Sequence, residues 1–196
     1  MLITETNVPD AALPVAVFKA HLRMGTGFGE DTLQDAVLGG FLRAAMAAIE
    51  ARTGKVLMER EFTQVFGVLR DPCALVLGIA PVTVIVDVQR VTRSGIEQLV
   101  NAAAYWLERD GHSPRLRATG AALPVLETGG ELRVRMLAGY GPEWDDVPSD
   151  MQQAVLMLAA HYYEYRHDTA LAAGCMPFGA TSLIERYRVM RMGARA

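Results

Sequence analysis

Between Asp31 and Gly54 apolar residues return every three or four positions. Leu33, Val37, Phe41, Ala44 and Ala48 make one line, and Leu38, Leu42, Ala45 and Ile49 widen it. This spacing keeps side chains on one face of an α-helix and predicts a long helix over residues 32–53. Asp31 is placed to cap its start, with Gln34 three residues on. Gly54 sits where a left-handed residue closes such a helix. Upstream, Val17, Ala20 and Leu22 predict a short helix over 13–23 that ends at Gly25. The glycine-spaced run 24–29 reads as a loop between the two.

Beyond Gly54 the period falls to two. Val82, Val84, Val86 and Val88 alternate with Thr83, Ile85, Asp87 and Gln89, which predicts a strand with one buried face. Leu132, Val134 and Met136 alternate with Glu131, Arg133 and Arg135, the pattern of a half-exposed antiparallel strand. Tyr105 to Arg109 reads as another strand, with turns at Arg93-Ser94-Gly95 and at Asp110-Gly111. Residues 55–146 are therefore expected to form a small antiparallel β domain.

Pro148 opens a second long helix, with Ser149 and Asp150 in its first turn. Met151, Ala154, Val155, Leu158, Ala159, Tyr162 and Tyr165 form an apolar stripe reaching about Arg166, while Leu156, Ala160 and Tyr163 are apolar on another side. A helix apolar around so much of its girth packs against several neighbours or against other subunits. Leu156, Ala160 and Tyr163 are thus candidate subunit-interface residues. Gly174 to Gly179 breaks the chain, and Thr181 to about Met190 predicts a last short helix. The expected fold is α+β, a helical bundle of two long and two short helices with an inserted small antiparallel β domain. Its boundaries are residues 1–54 and 147–190 for the bundle, 55–146 for the insert and 191–196 for a basic tail.

Composition narrows the function. With 196 residues, 51% of them hydrophobic, the chain can bury a real core. A formal net charge of -3 argues against a chain that binds nucleic acid over its whole surface. The charge is uneven, because residues 182–196 hold Arg186, Arg188, Arg191 and Arg195 against Glu185. An acidic body with a basic end directs that end towards an acidic partner. Cys73 and Cys175 are far apart and outside any C-x-x-C pair, so neither a disulfide nor zinc is expected, and a reducing compartment is. The N-terminus lacks a signal-peptide pattern, and the apolar run from Cys73 to Val88 is broken by Gly78 and Pro81 and too short for a bilayer. The expectation is a soluble protein.

Four constellations invite an enzymatic reading. Gly25-Thr26-Gly27-Phe28-Gly29 precedes a helix but follows no strand and has no G-K-[ST] ending, so a loop outweighs a phosphate cradle. Glu164 and His167, with His161, have the spacing that puts metal ligands on one helix face. Such a site needs further carboxylates on a facing helix, where only Glu50 is available. No G-x-S-x-G occurs, and neither cysteine has a sequence-local base. Tyr187, Arg188 and Arg191 could stack on and pair with nucleic acid, but one aromatic in a short tail is a weak signal. No catalytic residue, cofactor or metal is expected.

Several short strings carry a resemblance. Lys19-Ala20-His21-Leu22-Arg23 and Asp31 precede the first long helix, and Ile49-Glu50-Ala51-Arg52-Thr53-Gly54 ends it. Ala80-Pro81-Val82 enters the β region, and Ala138-Gly139-Tyr140-Gly141 leads to Val147-Pro148. His161-Tyr162-Tyr163-Glu164-Tyr165-Arg166 and the segment Pro177 to Arg191 follow. In this order the chain resembles the head-tail connector, or adaptor, proteins of long-tailed phages and phage-like gene transfer agents, over residues 15–191.

That resemblance implies a structural protein of a virion or phage-like particle, assembled in the bacterial cytoplasm, with no catalysis. It implies a ring, usually of twelve copies, beneath the portal protein, meeting a stopper or tail-terminator protein on its other side. DNA would pass through the channel without specific binding, and no membrane is involved. The C-terminal segment of such proteins docks into the portal, which makes Arg186, Tyr187, Arg188, Arg191, Met192 and Arg195 the candidate portal-binding residues, with Tyr187 and Met192 as anchors. Deleting residues 182–196 should then abolish portal binding and leave the fold intact. The rival readings are a stopper or tail-completion subunit, a small metal-dependent enzyme using His161, Glu164 and His167, and a nucleic-acid-binding module led by the tail.

Overall fold

The computed structural model describes residues 1–23, 34–166 and 176–188. Contacts divide the chain into two units: Met1–Asn7 with Met58–Pro142, and Val8–Leu57 with the chain from Glu143 onward. The first is built of strands and the second of helices. The chain thus mixes helices with antiparallel sheets.

In the helical unit, α1 spans Val15–His21, α2 Asp35–Thr53, α3 Ser149–Glu164 and α4 Phe178–Ile184. The string Ile49–Gly54 is a helix-stopping device. Thr53 Oγ1 donates to the Ile49 carbonyl at 2.8 Å. Gly54 then turns left-handed at φ 69° while its N–H returns to the Glu50 carbonyl at 2.8 Å. The Glu50 carboxylate accepts the N–H of Leu57 at 2.9 Å, which fixes the exit of the chain. Asp31, Leu33 and the glycine-rich run lie outside the described residues.

Of the two helices before Gly54, α1 buries another face than its apolar spacing predicts, and α2 buries the part of its predicted stripe that runs through Leu38, Leu42, Ala45 and Ile49. In α2 the buried line is Leu38, Leu42, Ala45, Met46 and Ile49, while Val37 and Ala44 are exposed and Phe41 and Ala48 half-buried. In α1 Phe18 and Lys19 are buried, and Val17 and Ala20 face out. Alanine and valine are apolar enough to suggest a core and small enough to stand in water, so the larger side chains decide which face turns inward. Lys19 enters the unit by pairing its ammonium with Asp35 at 2.5 Å, tying α1 to the start of α2.

The α3 stripe is buried as its spacing demands at Met151, Ala154, Val155, Leu158 and Ala159, whereas Tyr162 is half-buried and Tyr165 exposed. Gln152 Nε2 holds the incoming chain through the carbonyls of Trp144 and Val147, both at 2.9 Å. The last helix begins at Phe178, three residues earlier than expected, because Pro177 supplies the extended residue before it. A 3-10 turn, Glu185–Tyr187, follows directly.

In the sheet unit, β1 is Leu2–Thr4, β2 Arg60–Phe66, β3 Ala74–Val76, β4 Val82–Val91, β5 Glu97–Leu99, β6 Tyr105–Glu108, β7 Arg115–Ala118 and β8 Glu131–Ala138. They form a five-stranded antiparallel sheet in the order β1-β2-β8-β4-β5 and a three-stranded one in the order β3-β7-β6. Residues 1–7, expected with the helices, join the sheets instead through β1. β8 keeps strict alternation, with Leu132, Val134 and Met136 buried and Glu131, Arg133 and Arg135 on the other face.

β4 does not. Register shifts fall between Val82 and Val84 and between Ile85 and Asp87. Each bulge turns the following side chains over, so Val82 and Val88 are buried while Val84 and Val86 face out. The predicted turns are present. Gly95 has φ 85° and returns its N–H to Thr92, and Asp110 accepts the N–H groups of His112 and Ser113.

At the end of β8 the chain passes close to the start of β2. Glu59 donates its N–H to the Gly141 carbonyl at 2.8 Å. A Cβ on Gly139, whose φ is 142°, would lie 2.4 Å from the Glu59 Cα. Only glycine fits there, which accounts for the string Ala138–Gly141.

Candidate functional site

The segment expected to reach a partner starts inside its own unit. Ile184 is fully buried and Tyr187 is 8% exposed. The Tyr187 hydroxyl donates to Asp150 Oδ1 at 2.8 Å, in the first turn of α3. Arg186 Nη2 donates to the Tyr187 oxygen at 2.9 Å, its Nε lies 3.2 Å from Asp150 Oδ2, and its guanidinium stacks 4.8 Å from the Tyr187 ring centre. Burial, helped by the hydrogen bond to Asp150, pushes the Tyr187 phenol above its usual value. Arg188 pairs with Glu185 at 3.1 Å. The triad of Asp150, Arg186 and Tyr187 is a clamp that fixes where the basic tail leaves the helical unit. Residues Arg191, Met192 and Arg195 lie outside the described residues.

This clamp corrects the deletion expected from sequence. Removing residues 182–196 would strip Ile184 and Tyr187 from the core, so a deletion meant to spare the fold has to begin after Arg188.

On α3, Leu156 is 7% exposed and so is covered by its own chain, while Ala160 and Tyr163 are half-buried. The Tyr163 ring meets Phe41 of α2 edge-on, with centres 5.8 Å apart, and carries the Arg166 guanidinium 4.5 Å above it. The outer positions of α2, Ala36, Val37, Gly40, Ala44 and Ala47, are exposed and uncharged. His161 lies beside the Tyr165 ring at 4.7 Å and Glu164 is exposed. His167 and Cys175 lie outside the described residues, and among those described no three His, Cys, Asp or Glu side chains gather as a metal site. No described helix is long and apolar enough to cross a membrane.

The outer face of the five-stranded sheet is polar and internally paired. Arg135 bonds Asp87 and lies 3.3 Å from Glu61, and Arg133 reaches Glu97 at 2.8 Å and Glu131 at 2.7 Å. The hydrogen bond that Arg135 donates to Asp87 holds its guanidinium above its usual value. Both arginines are matched by carboxylates and Glu5 lies close by, so their charge is already spent and a phosphate backbone gains little here.

No protein-family model matches the chain, and no curated protein does. Solved structures do. A chain in the neck of an empty gene transfer agent (GTA) particle, computed with C6 symmetry, is 46% identical with a TM-score of 0.89, and the match covers 99% of this chain and 98% of that one. A chain of the virion of a native GTA particle is 45% identical, with a TM-score of 0.87 and the same coverage. The chain belongs to the GTA neck proteins. A third relative, from the neck of a native particle computed with C12 symmetry, is 43% identical over 99% of this chain and 98% of its own, with a TM-score of 0.85.

This GTA neck protein is therefore a component of a phage-like particle. What sequence reading missed is Asp150. An acid in a helix's first turn is ordinary enough to hide its role as the acceptor for Tyr187, 37 positions away.

Proposed function

We propose that this neck protein is the head-tail adaptor, a structural ring subunit that joins the portal to the stopper or tail-terminator protein around the DNA channel. The observation that carries the reading is identity of 43–46% over 98–99% of both chains with subunits of GTA necks. The C6 and C12 symmetries of those necks support a ring of twelve. In this reading the helical unit is the bundle, the sheet unit its insert, and no catalysis is involved. A stopper, by resemblance, is a β-rich barrel, so a whole unit made of helices favours the adaptor.

The tail that follows Arg188 contacts the portal by charge-assisted pairing of Arg191 and Arg195 with acidic groups, and Met192 adds an apolar anchor. The Asp150 clamp aims this tail; Tyr187 itself is spent on the clamp. DNA slides past an acidic body in which Arg133 and Arg135 are matched by carboxylates.

Deleting residues 189–196 tests the reading. The shortened protein should keep its thermal unfolding midpoint and lose portal binding at least tenfold. Portal binding that survives the deletion would refute the role given to the tail.

A further inference from the structure

The chain leaves the sheet unit after Pro142 and enters the helical unit through a 3-10 turn, Trp144–Asp146. The sheet end of this connection is fixed, since Gly141 bridges to Met58 and accepts the Glu59 N–H at 2.8 Å. At the helical end Trp144 and Val147 are buried. Their carbonyls both accept from Gln152 Nε2, each at 2.9 Å. Gln152 lies two residues past Asp150, the acceptor that holds Tyr187 and Arg186. The first turn of α3 thus carries the anchor of the tail and the anchor of the connection together.

That turn is weakly closed on its own. The N–H groups of a first turn have no acceptor inside the helix, and Pro148, which precedes this one, offers no side-chain cap. Asp150 Oδ1 accepts the N–H of Met151 at 2.9 Å, and the same oxygen takes the Tyr187 hydroxyl. Tyr187 and Arg186 therefore hold the carboxylate in the position that serves Met151. A short 3-10 turn such as Glu185–Tyr187 opens locally more readily than a long packed helix. When it opens, the Asp150 carboxylate turns to water, the first turn of α3 frays, and Gln152 loses its fixed reach to the two carbonyls.

We infer that the first turn of α3 is a relay: closure of Tyr187 on Asp150 tightens the connection at residues 143–147, and its release loosens it. The two states are the closed and the open clamp. Coupling of this kind is reciprocal, so holding the connection also holds Tyr187. The trigger of the relay rests on the adaptor reading above, in which the segment after Arg188 docks on the portal. A docked tail keeps the clamp closed and so stiffens the entry of the chain from the sheet unit. Plain destabilisation would loosen the helical unit throughout, whereas a relay acts on residues 144–147 and 186–188 ahead of the rest.

Amide hydrogen exchange on the full chain tests this under native conditions, with the buried stretch Leu42–Ile49 of α2 as internal reference. Tyr187→Phe should speed exchange at 144–147 by about fivefold or more over the reference. Gln152→Ala should do the same at 186–188. Arg186→Ala, at a side chain 72% exposed, leaves the core alone and should give the Tyr187→Phe pattern more weakly. Gly54→Ala, a change of similar size elsewhere in the helical unit, should leave both ratios as they are. Unchanged exchange at 144–147 in both tail variants, or an equal rise in Gly54→Ala, would overturn the relay. With the portal added, the full chain should exchange more slowly at 144–147 and the chain lacking 189–196 should not. Binding that leaves 144–147 unchanged would also overturn it. A portal that does not bind fails the adaptor reading instead, and the isolated chain then decides the relay by itself.

Discussion

The hydroxyl of Tyr187 donates a 2.8 Å hydrogen bond to the carboxylate of Asp150, joining the last described turn of the chain to the first turn of α3. Removing either partner leaves the other partly buried. Tyr187→Phe and Asp150→Asn should each cost about 1–2 kcal/mol, read from urea unfolding. The double variant should cost clearly less than the two single losses added together. Strict additivity would mean the clamp is not a unit.

The same contact has a signature at high pH. The Tyr187 phenol is raised above its usual value, so the folded protein holds that proton more tightly than the unfolded chain. Stability from this site is fully present below about pH 10, the ordinary tyrosine value, and is lost as pH rises through the higher folded value. Phenolate absorbance should show Tyr187 ionising late, with Tyr105, also raised chiefly by burial, as a second late group. Tyr187→Phe should remove one late phenol and flatten the alkaline loss of stability. An unchanged late phase in that variant would contradict the assignment.

Two glycines separate backbone strain from steric exclusion. Gly54 has φ 69° with open space where a methyl would stand, so Gly54→Ala should cost about 1 kcal/mol for the left-handed conformation alone. At Gly139 the same change drives a methyl into the backbone of Glu59 and Met58. Gly139→Ala should therefore cost more than about 3 kcal/mol or prevent folding. Similar unfolding midpoints for the two variants would refute the close approach.

Lys19 and Asp35 pair at 2.5 Å with the ammonium largely out of water. Lys19→Met strands the carboxylate and should cost about 3 kcal/mol. Adding Asp35→Asn should recover at least about 1 kcal/mol of it, measured by urea unfolding. No recovery would show that the cost lies in packing rather than in charge.

Element types were legible where one face is large and the other charged. β8 is the clearest case, because Leu, Val and Met alternate with Glu and Arg, and the burial follows residue by residue. The end of α2 was legible because Thr53, Gly54 and Glu50 act within a few residues of one another. The faces of β4 were not, because five β-branched residues in a row carry no contrast, so two bulges could turn the strand without any polar residue marking them. The inward face of α1 and the outer limit of the α2 stripe were hidden for a related reason, since alanine and valine occupy buried and exposed positions alike. β1 was invisible: three residues give no period, and their place depends on pairing with β2 some sixty positions on. The C-terminal arginines were found by charge, but local charge says nothing about which of them is spent on Asp150.

An adaptor has to form a ring on the portal. Cryo-electron microscopy of the purified protein mixed with its portal tests it most directly. The expected image is a ring of this chain at the portal's narrow end, with the segment after Arg188 inserted into the portal and Arg186 still on Asp150. A portal that stays bare, or a ring that binds only to tail proteins, would contradict it.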